Sequence, residues 1–468
     1  MTRRTASLAL LGLPGLGLLA QAPKTEAAAS SEAPEGYKVY AEAPRLFLRP
    51  ARLRLLRREH ERQSLRWEQF QNLWNGGAPF PEPGWASALL YQVAQDPDAG
   101  KKAVAWAASA AGTDIRQVAL VADWCEALLA PTDKTSAEKT RIFAKLQRAA
   151  DGPTPKNLNE ARNKTLAAIV ICDAFPEKSE AALRDVFQNY WLKVFVKGIR
   201  ADRVRVSNAE AFPLMELLHA FRDNINFDLR DTLPGWFKEY PIAHVMAHYP
   251  APFPAAENEY RIPADPEIQK SGPMMDRAMY SRAAELAMVA FDSNASSSQL
   301  LQGFLTNDRY LMRGTMGITY EFLWANPYQP GLSYYHIPLA MHDPVGGQLY
   351  VRSSWEDDAQ WLGFFDGQLQ LFADGSVSKI DPKLAHEPMD LEEATVFFGR
   401  DAKKFRVPKR NKEEAFDDVF IVGLQPGKAY NVEVDGQEMA EEVSDPGGII
   451  YLAQVPAGVM VLLNPVSL

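Results

Sequence analysis

The sequence predicts an α+β multidomain protein, with a long helical part first and a smaller antiparallel β part after it. From Pro50 to about residue 292, apolar residues recur at helical spacing between short connections rich in Pro, Gly, Asn and Asp. From Gln348 onward, short strand-like segments are separated by Asp-Gly and Pro-Gly pairs, which are typical of hairpin turns. A length of 468 residues accommodates one large and one small domain.

Start and stop signals place the individual elements. Asp96-Pro97 and the capping-box pattern Thr135-Ser-Ala-Glu138 each open a helix. Asp366-Gly367 and Asp374-Gly375 are predicted turns, and the charged segment 403–414 is predicted to be a loop. Further helices are predicted over 158–173, 178–197, 208–223, 234–248 and 275–292. Strands are predicted over 348–353, 360–365, 368–372, 419–423, 430–434, 449–453 and 459–463.

The N-terminus predicts export. Arg3-Arg4 precedes an apolar run over residues 8–20, and small residues follow, which is the pattern of a twin-arginine-type signal. We expect residues 1–30 to form this signal and its linker, and the protein to be periplasmic or secreted. The run is shorter than the ~20 residues that span a bilayer. No membrane span is predicted.

Charge and cysteine content exclude some classes of partner. The formal net charge is −9, and removal of residues 1–30 would leave 47 basic and 58 acidic residues, hence −11. Such an acidic chain is not expected to bind nucleic acid. The two cysteines, Cys125 and Cys172, lie in apolar helical patterns and are predicted to be buried free thiols. Two cysteines cannot supply a cysteine-based zinc cage.

Three stretches resemble the heparinase II/III-like proteins. They are Pro44-Arg-Leu-Phe-Leu, Asp123-Trp-Cys-Glu-Ala-Leu and the longer, more specific segment 349–364. The resemblance implies an incomplete (α/α) toroid of helical hairpins over residues 31–340, followed by a small antiparallel β-sandwich-like domain over 341–468. It also implies a polysaccharide lyase, a carbon–oxygen lyase that cleaves uronate-containing glycans by β-elimination.

One departure from that family bears on the chemistry. Active relatives carry a His-x-His-x-Asp-like motif after the segment that corresponds to 361–364, and it supplies a metal ligand or a catalytic histidine. Here residues 365–374 contain no histidine. No metal and no cofactor are therefore predicted, and any proton transfer is expected to come from the helical part.

Candidate catalytic residues follow from what β-elimination requires. The reaction needs donors that neutralise the uronate carboxylate, and a Tyr or His that transfers protons. Asn208 at a helix start is a candidate neutraliser, and a helix cap with an acidic first turn is the alternative. His244 and His248 share one helix face, and the alternative is a pair placed favourably at a helix end. Tyr260, in a densely polar loop, is the leading candidate for acid or base; packing over the toroid rim is the alternative.

Further polar and aromatic residues are candidates for sugar binding. Aromatic rings beside amides, carboxylates and imidazoles suit the apolar faces and hydroxyl groups of sugars. Packing at a domain interface would also explain the aromatic members of this set. The candidates are Glu257, Asn258, Arg261, Tyr320, Trp324, Tyr334 and His336.

The sequence leaves several functions open. The first is an exported polysaccharide lyase, and the second is a catalytically degenerate relative that binds glycan or another partner. A third is a toroid hydrolase, for which Glu210 and Glu257 could supply the two carboxylates. The expected partner is a polysaccharide. The oligomeric state is not set by the sequence.

Overall fold

The computed structural model describes ten ranges of the chain, all within the unit Pro34–Leu468. The predicted signal segment, residues 1–30, lies outside them. The ranges are 36–129, 133–201, 206–252, 261–268, 275–308, 314–382, 387–391, 394–399, 404–409 and 416–466.

Helices occupy the described chain up to Trp324, as predicted, and an eleven-residue π-helix, Val186–Val196, continues α8. The α-helices are α1 (Pro50–Glu61), α2 (Leu65–Asn75), α3 (Pro83–Ala94), α4 (Pro97–Ala108), α5 (Ile115–Trp124), α6 (Asp133–Ala150), α7 (Leu158–Ile171), α8 (Pro176–Asp185), α9 (Lys197–Arg200), α10 (Asn208–Ile225), α11 (Pro234–Met246), α12 (Met275–Phe291), α13 (Ser296–Asn307) and α14 (Gly314–Trp324).

Local sequence explains many of the helix starts. The side chains of Asp96, Asp114 and Asn157 accept hydrogen bonds from first-turn N–H groups of α4, α5 and α7. Such caps satisfy donors that have no partner within the helix. Proline stands in the first turn of α1, α3, α4, α8 and α11, where its missing N–H has no consequence.

Six helices form a ring. Helix α3 packs against α5, α5 against α7, α7 against α10, α10 against α12, and α12 against α14. The rings of Trp85 in α3 and Tyr320 in α14, with centroids 5.1 Å apart, join the two ends. Helices α4, α6, α8, α11 and α13 pack against members of the ring. This is the arrangement of helical hairpins that the predicted toroid requires.

Strands begin at Ala340 in the described chain and form three sheets, ordered β1-β2-β3-β4-β5, β12-β9-β7-β6 and β11-β10-β13-β8. The strands are β1 (Ala340–Asp343), β2 (Gln348–Arg352), β3 (Trp361–Phe365), β4 (Gln368–Ala373), β5 (Ser376–Ile380), β6 (Met389–Leu391), β7 (Ala394–Phe398), β8 (Lys404–Arg406), β9 (Phe416–Val422), β10 (Ala429–Val434), β11 (Gln437–Val443), β12 (Ile450–Pro456) and β13 (Met460–Pro465).

Two details differ from the predicted antiparallel domain. Strands β7 and β9 pair in parallel, so one of the three sheets is mixed. Strand β8 lies within the segment predicted to be a loop, because Phe405 is buried and pairs with Val461 of β13. The segment was predicted to be a loop because it is highly charged, and a three-residue strand with a single buried apolar side chain gives too weak a pattern to be recognised.

The Asp-Gly turns have the predicted form. Asp366 and Gly367 both have positive φ angles, 50° and 69°, and Asp374 and Gly375 repeat these values. Two successive residues with positive φ make the type I′ turn that matches the twist of a two-stranded hairpin. These turns set the register of β3, β4 and β5.

Strands β2 and β3 of the first sheet are buried on both faces. Alternate residues of β2 and β3 point in opposite directions, as the period of a strand requires. Tyr350, Trp361 and Phe365 join the helical core. Leu349, Val351, Leu362 and Phe364 pack instead against β6, β7 and β9. A third apolar cluster lies between the β9 sheet and the β10 sheet. The order of layers is therefore helices, first sheet, β9 sheet and β10 sheet.

Polar contacts fix the first sheet to the end of α11. The Trp361 indole donates to the carbonyl of Met246 at 2.8 Å, and Arg352 donates to the carbonyl of His248 at 2.8 Å. Tyr249 donates to Gln370 at 2.7 Å, and the amide of Gln370 donates to the carbonyl of Asp265. Secondary structure changes at the predicted boundary near residue 340, but the helices and the first sheet share one apolar core. The division into domains at this point stays a prediction.

The first two stretches that resemble heparinase II/III-like proteins lie against each other. Backbone N–H groups of Arg45 and Leu46 both donate to Asp123 at 2.8 Å. The Trp124 indole donates to the carbonyl of Leu46 at 2.8 Å. These residues tie the extended entry segment to the end of α5, so their role in this fold is structural.

Both cysteines are free thiols, as predicted. Cys125 is buried, and burial raises its pKa to about 12. Cys172 is only partly buried, and its Sγ lies 2.8 Å from Arg45 Nη1.

Candidate functional site

A cavity of about 320 Å³ lies where the start of α10, helix α11 and the first sheet meet. We call it the junction cavity. Segment 262–267 forms its floor, and strands β2 and β3 form its far wall. Its polar and aromatic lining residues are Ser207, Asn208, Tyr240, His244, Asp265, Glu267, Arg277, Gln348, Tyr350, Phe365 and Asp366.

Asn208 reaches this cavity because it is the first residue of α10. Its side-chain amide donates to the carbonyl of Ala264 at 3.1 Å, which fixes the group across the cavity floor. The preceding residue, Ser207, does not cap the helix; its hydroxyl instead bonds Glu210. This helix start carries the positive end of the helix dipole, which favours an anionic oxygen, although Glu210 in the first turn already supplies one negative charge there.

Tyr240 and His244 lie one turn apart on α11 and face the same cavity. Their rings meet edge to face, with centroids 4.7 Å apart. The Tyr240 hydroxyl is buried and has no hydrogen-bond partner among the described residues. Burial, with smaller contributions from Glu210 and Glu285, raises the pKa of Tyr240 far above its usual value. The phenol is therefore protonated at physiological pH and can donate a hydrogen bond.

A buried carboxylate, Glu285, lies close to both predicted histidines. Glu285 of α12 lies 3.2 Å from His248 Nε2, 3.4 Å from Arg282 Nε and 3.8 Å from His244 Nδ1. Burial alone would raise the pKa of Glu285, but the charges of His248 and Arg282 outweigh it and hold that pKa well below its ordinary range. Glu285 is thus a fixed negative charge that orients both imidazoles.

The two histidines have different positions. His244 lines the junction cavity, whereas His248 is 1% exposed and donates from Nδ1 to the carbonyl of His244 at 2.7 Å. His244 can meet a ligand directly. His248 acts on a ligand only through Glu285 and His244.

The charge of the junction cavity is unevenly distributed. Arg277 forms ion pairs with Asp265 at 3.4 Å and Glu267 at 2.7 Å, so its cation is already balanced. Asp366 adds a further carboxylate to the lining. The part of the junction-cavity wall that lies away from the start of α10 is therefore acidic.

A second cavity of about 490 Å³ adjoins the first. We call it the sheet cavity, because the β1–β2 hairpin closes it against α9 and α11. The two cavities share Val206, Tyr240, Ala243, Gln348 and Tyr350 in their linings. His342 of β1 lies in the sheet cavity, with Nε2 2.9 Å from Asp445.

The predicted site residues fall into three groups: residues in or behind the junction cavity, residues outside the described chain, and residues elsewhere in the described chain. Asn208 and His244 come together in the junction cavity, with His248 directly behind. Tyr260, Glu257 and Asn258 lie outside the described residues, so their roles stay predictions.

The remaining candidates lie away from both cavities. Arg261 is buried and ion-paired with Asp308 and Asp357. Trp324 packs among Phe47, Phe212 and His219. The Tyr334 hydroxyl accepts from Asn307, and His336 is exposed.

Tyr320 belongs to a charged cluster at the centre of the ring, which we call the ring-centre network. Its hydroxyl donates to Glu82. Glu82 pairs with Arg116 at 3.1 Å, Arg116 with Glu216 at 2.8 Å, and Arg162 with Glu216 at 3.0 Å. Each charge in this network meets an opposite charge, so a structural role explains the buried phenol of Tyr320.

Several residues of the junction cavity carry no sequence signal of function. Arg277, Tyr350 and Phe365 come from separate elements and meet only through the tertiary fold. Tyr240 could have been found from its spacing, because it stands four residues before His244 on the same helix face.

The fold and the cavity define the class: an α+β protein with a ring of helices, stacked sheets and a polar cavity between them. No protein-family model matches the sequence, and no curated protein matches it significantly. One solved structure, described as "Glycoside hydrolase", matches over 85% of this chain and 74% of that chain, with 10% identity and a TM-score of 0.33. A TM-score of this size supports no transfer of site or activity.

Within the described ranges, no cluster of three His, Cys, Asp or Glu side chains is arranged to hold a metal ion. In the same part of the chain, no helix combines the length and the apolar character needed to cross a membrane.

Proposed function

We propose that this chain processes polysaccharides and that the junction cavity binds the sugar. The observation that carries the proposal is the Tyr240 hydroxyl, which is buried beside Asn208 and His244 without a partner among the described residues. A buried polar group without a hydrogen bond costs about 1–3 kcal/mol. A ligand hydroxyl or ring oxygen in the cavity would remove that cost once the Tyr240 side chain turns to expose its oxygen, which has almost no accessible surface in this conformation.

The arrangement can support β-elimination on a uronate. The Asn208 amide and the uncapped N–H groups of α10 would neutralise the sugar carboxylate. His244 would take the C5 proton, with Glu285 stabilising the imidazolium that forms. Tyr240, protonated in the resting protein, would give its proton to the leaving glycosidic oxygen and take one back from solvent after the product leaves. Tyr260 stays a predicted participant.

A second candidate function is glycan binding without catalysis. The acidic wall formed by Asp265, Glu267 and Asp366 opposes the approach of a polyanion. A neutral glycan would not meet this repulsion. It would still satisfy Tyr240 and stack on the aromatic rings of Tyr350 and Phe365.

One experiment separates the two candidates. The purified protein is incubated with uronate polysaccharides and with neutral ones, and ultraviolet absorbance of the unsaturated product reports elimination. Binding to each glycan is measured in parallel by calorimetry. Elimination with any uronate polymer supports the lyase. Binding of neutral glycans with no elimination supports the degenerate relative.

Matched variants connect the result to the cavity. Tyr240→Phe and Asn208→Ala should each weaken elimination, or glycan binding, by roughly tenfold or more. Tyr37→Phe is the control, because Tyr37 is a buried tyrosine that lines neither cavity. Equal effects of Tyr240→Phe and Tyr37→Phe would reject the junction cavity as the site.

Export through a twin-arginine-type signal is part of the proposal, because polysaccharide is met outside the cytoplasm. Replacing Arg3 and Arg4 together by lysine should retain the protein in the cytoplasm. Normal export of that double variant would remove the twin-arginine assignment.

A further inference from the structure

The sheet cavity adjoins the junction cavity but differs from it in chemistry. The two share Tyr240 and Tyr350 in their linings, so a group seated in one lies next to the other. Beyond this shared wall, the sheet cavity is bounded by Ile199, Leu233, Trp236 and Met341. Its lining is predominantly apolar.

Three polar groups of the sheet cavity already have protein partners. His342 Nε2 lies 2.9 Å from the buried carboxylate of Asp445. Arg200 donates to the carbonyl of Thr232 at 2.9 Å, and Asp343 accepts from the backbone N–H of Val345. A second sugar ring here would have Glu239 and Tyr240 as partners, but most of its hydroxyl groups would lie against apolar side chains, which is unfavourable. An apolar group would meet no such penalty.

Aromatic side chains suit the sheet cavity to a ring system. Trp236 stacks on Tyr240 with centroids 4.4 Å apart, and Tyr350 closes the opposite side. An apolar cavity of ~150 Å³ can hold benzene in another protein. The 490 Å³ available here accommodates a larger arene of two fused rings.

We propose that the sheet cavity binds an aryl substituent carried by the sugar that occupies the junction cavity. The substrate class is thus an aryl-substituted glycan or glycoside. This inference rests on the proposed function for the sugar part only. Binding of the aryl group itself depends on Trp236, Met341 and Tyr350.

Calorimetry with 2-naphthol tests the aryl site without any sugar. The full chain should bind 2-naphthol, and Met341→Trp, which fills the cavity, should weaken binding by about tenfold or more. Trp236→Ala, which removes an aromatic wall, should weaken it several-fold. Val443→Trp is the matched control, because it adds the same indole at a remote, exposed position. Absence of 2-naphthol binding, or binding that survives both cavity variants, overturns the inference.

A second titration separates this inference from the proposed function. A 2-naphthyl glycoside should bind more tightly than the matching methyl glycoside, and Met341→Trp should abolish that difference. Asn208→Ala should weaken both glycosides and leave 2-naphthol unaffected. If no glycoside binds but 2-naphthol binding is still lost in Met341→Trp, the sugar proposal fails and the aryl site stands. Equal affinity for both glycosides overturns the linked aryl site.

Discussion

The ring-centre network and the junction cavity are two polar regions of the same helical ring, and they differ in how their buried groups are satisfied. In the ring-centre network, Arg116, Arg162, Glu82 and Glu216 each meet an opposite charge within 3.1 Å. In the junction cavity, the Tyr240 hydroxyl has no partner in the described chain.

The difference separates a structural role from a ligand-binding role. A fully paired buried network fixes one packing of the helices and leaves nothing for a ligand to bind. An unpaired buried hydroxyl beside an uncapped helix start lacks a hydrogen-bond partner, and a ligand can supply one. The comparison predicts that substitutions in the first region mainly alter stability, and that substitutions in the second mainly alter binding.

Glu216→Ala should have the largest effect on stability. It leaves Arg116 and Arg162 buried without this carboxylate, and breaking a buried ion pair from one side costs about 3–5 kcal/mol. The midpoint of urea unfolding reports the loss. If Glu216→Ala unfolds at the wild-type urea concentration, the ring-centre network does not stabilise the helical ring.

Glu285→Gln should destabilise the protein by roughly 2–3 kcal/mol at neutral pH, since hydrogen bonds to charged groups are lost. The pKa of Glu285 is lower in the folded protein than its ordinary value of 4.5, so its stabilisation is present above that pH and is lost as pH falls. The difference in unfolding free energy between wild type and Glu285→Gln should therefore narrow below about pH 4.5. Unfolding free energies measured across this range check the sign. A free-energy difference that grows as the pH falls would contradict the lowered pKa of Glu285.

Tyr249→Phe should cost about 1–3 kcal/mol, because it leaves the buried side-chain oxygen of Gln370 without the Tyr249 donor. This contact joins the helical part to the first sheet. Thermal unfolding should show a lower midpoint with glycan binding unchanged. A loss of binding without a loss of stability would place Tyr249, rather than Tyr240, in the site.

Tyr240→Phe is the matched partner of that variant and should have the smallest effect on stability. It removes a hydroxyl that has no partner among the described residues, so stability should stay constant or rise by up to about 1 kcal/mol. Sugar binding should nevertheless weaken. If Tyr240→Phe and Tyr249→Phe lose equal stability, the distinction between paired and unpaired phenols in this fold is wrong.

Part of the candidate site was accessible from the sequence. Asn208 stands at a helix start, and His244 and His248 are four residues apart; both facts are local and both are present in the structure. Their meeting in one cavity was an expectation that required the start of α10 and helix α11 to come together, and both helices pack against α12. Arg277, Tyr350 and Phe365 could not be inferred, because strands and helices distant in the chain bring them there.

The sequence by itself determined the local elements. Asp96 and Asn157 cap helices through hydrogen bonds that span three residues at most, and Asp366-Gly367 makes its turn from two backbone angles. These interactions need no distant partner, so the order of helices and strands could be predicted. The tertiary structure alone decided which polar groups were paired. Arg116 is balanced by Glu216 one hundred residues away, while Tyr240 is buried with no partner in the described chain. Only packing brings such groups together or isolates them. A hydrogen bond or ion pair forms only when two groups lie within a few ångströms, and these groups belong to elements far apart in the sequence.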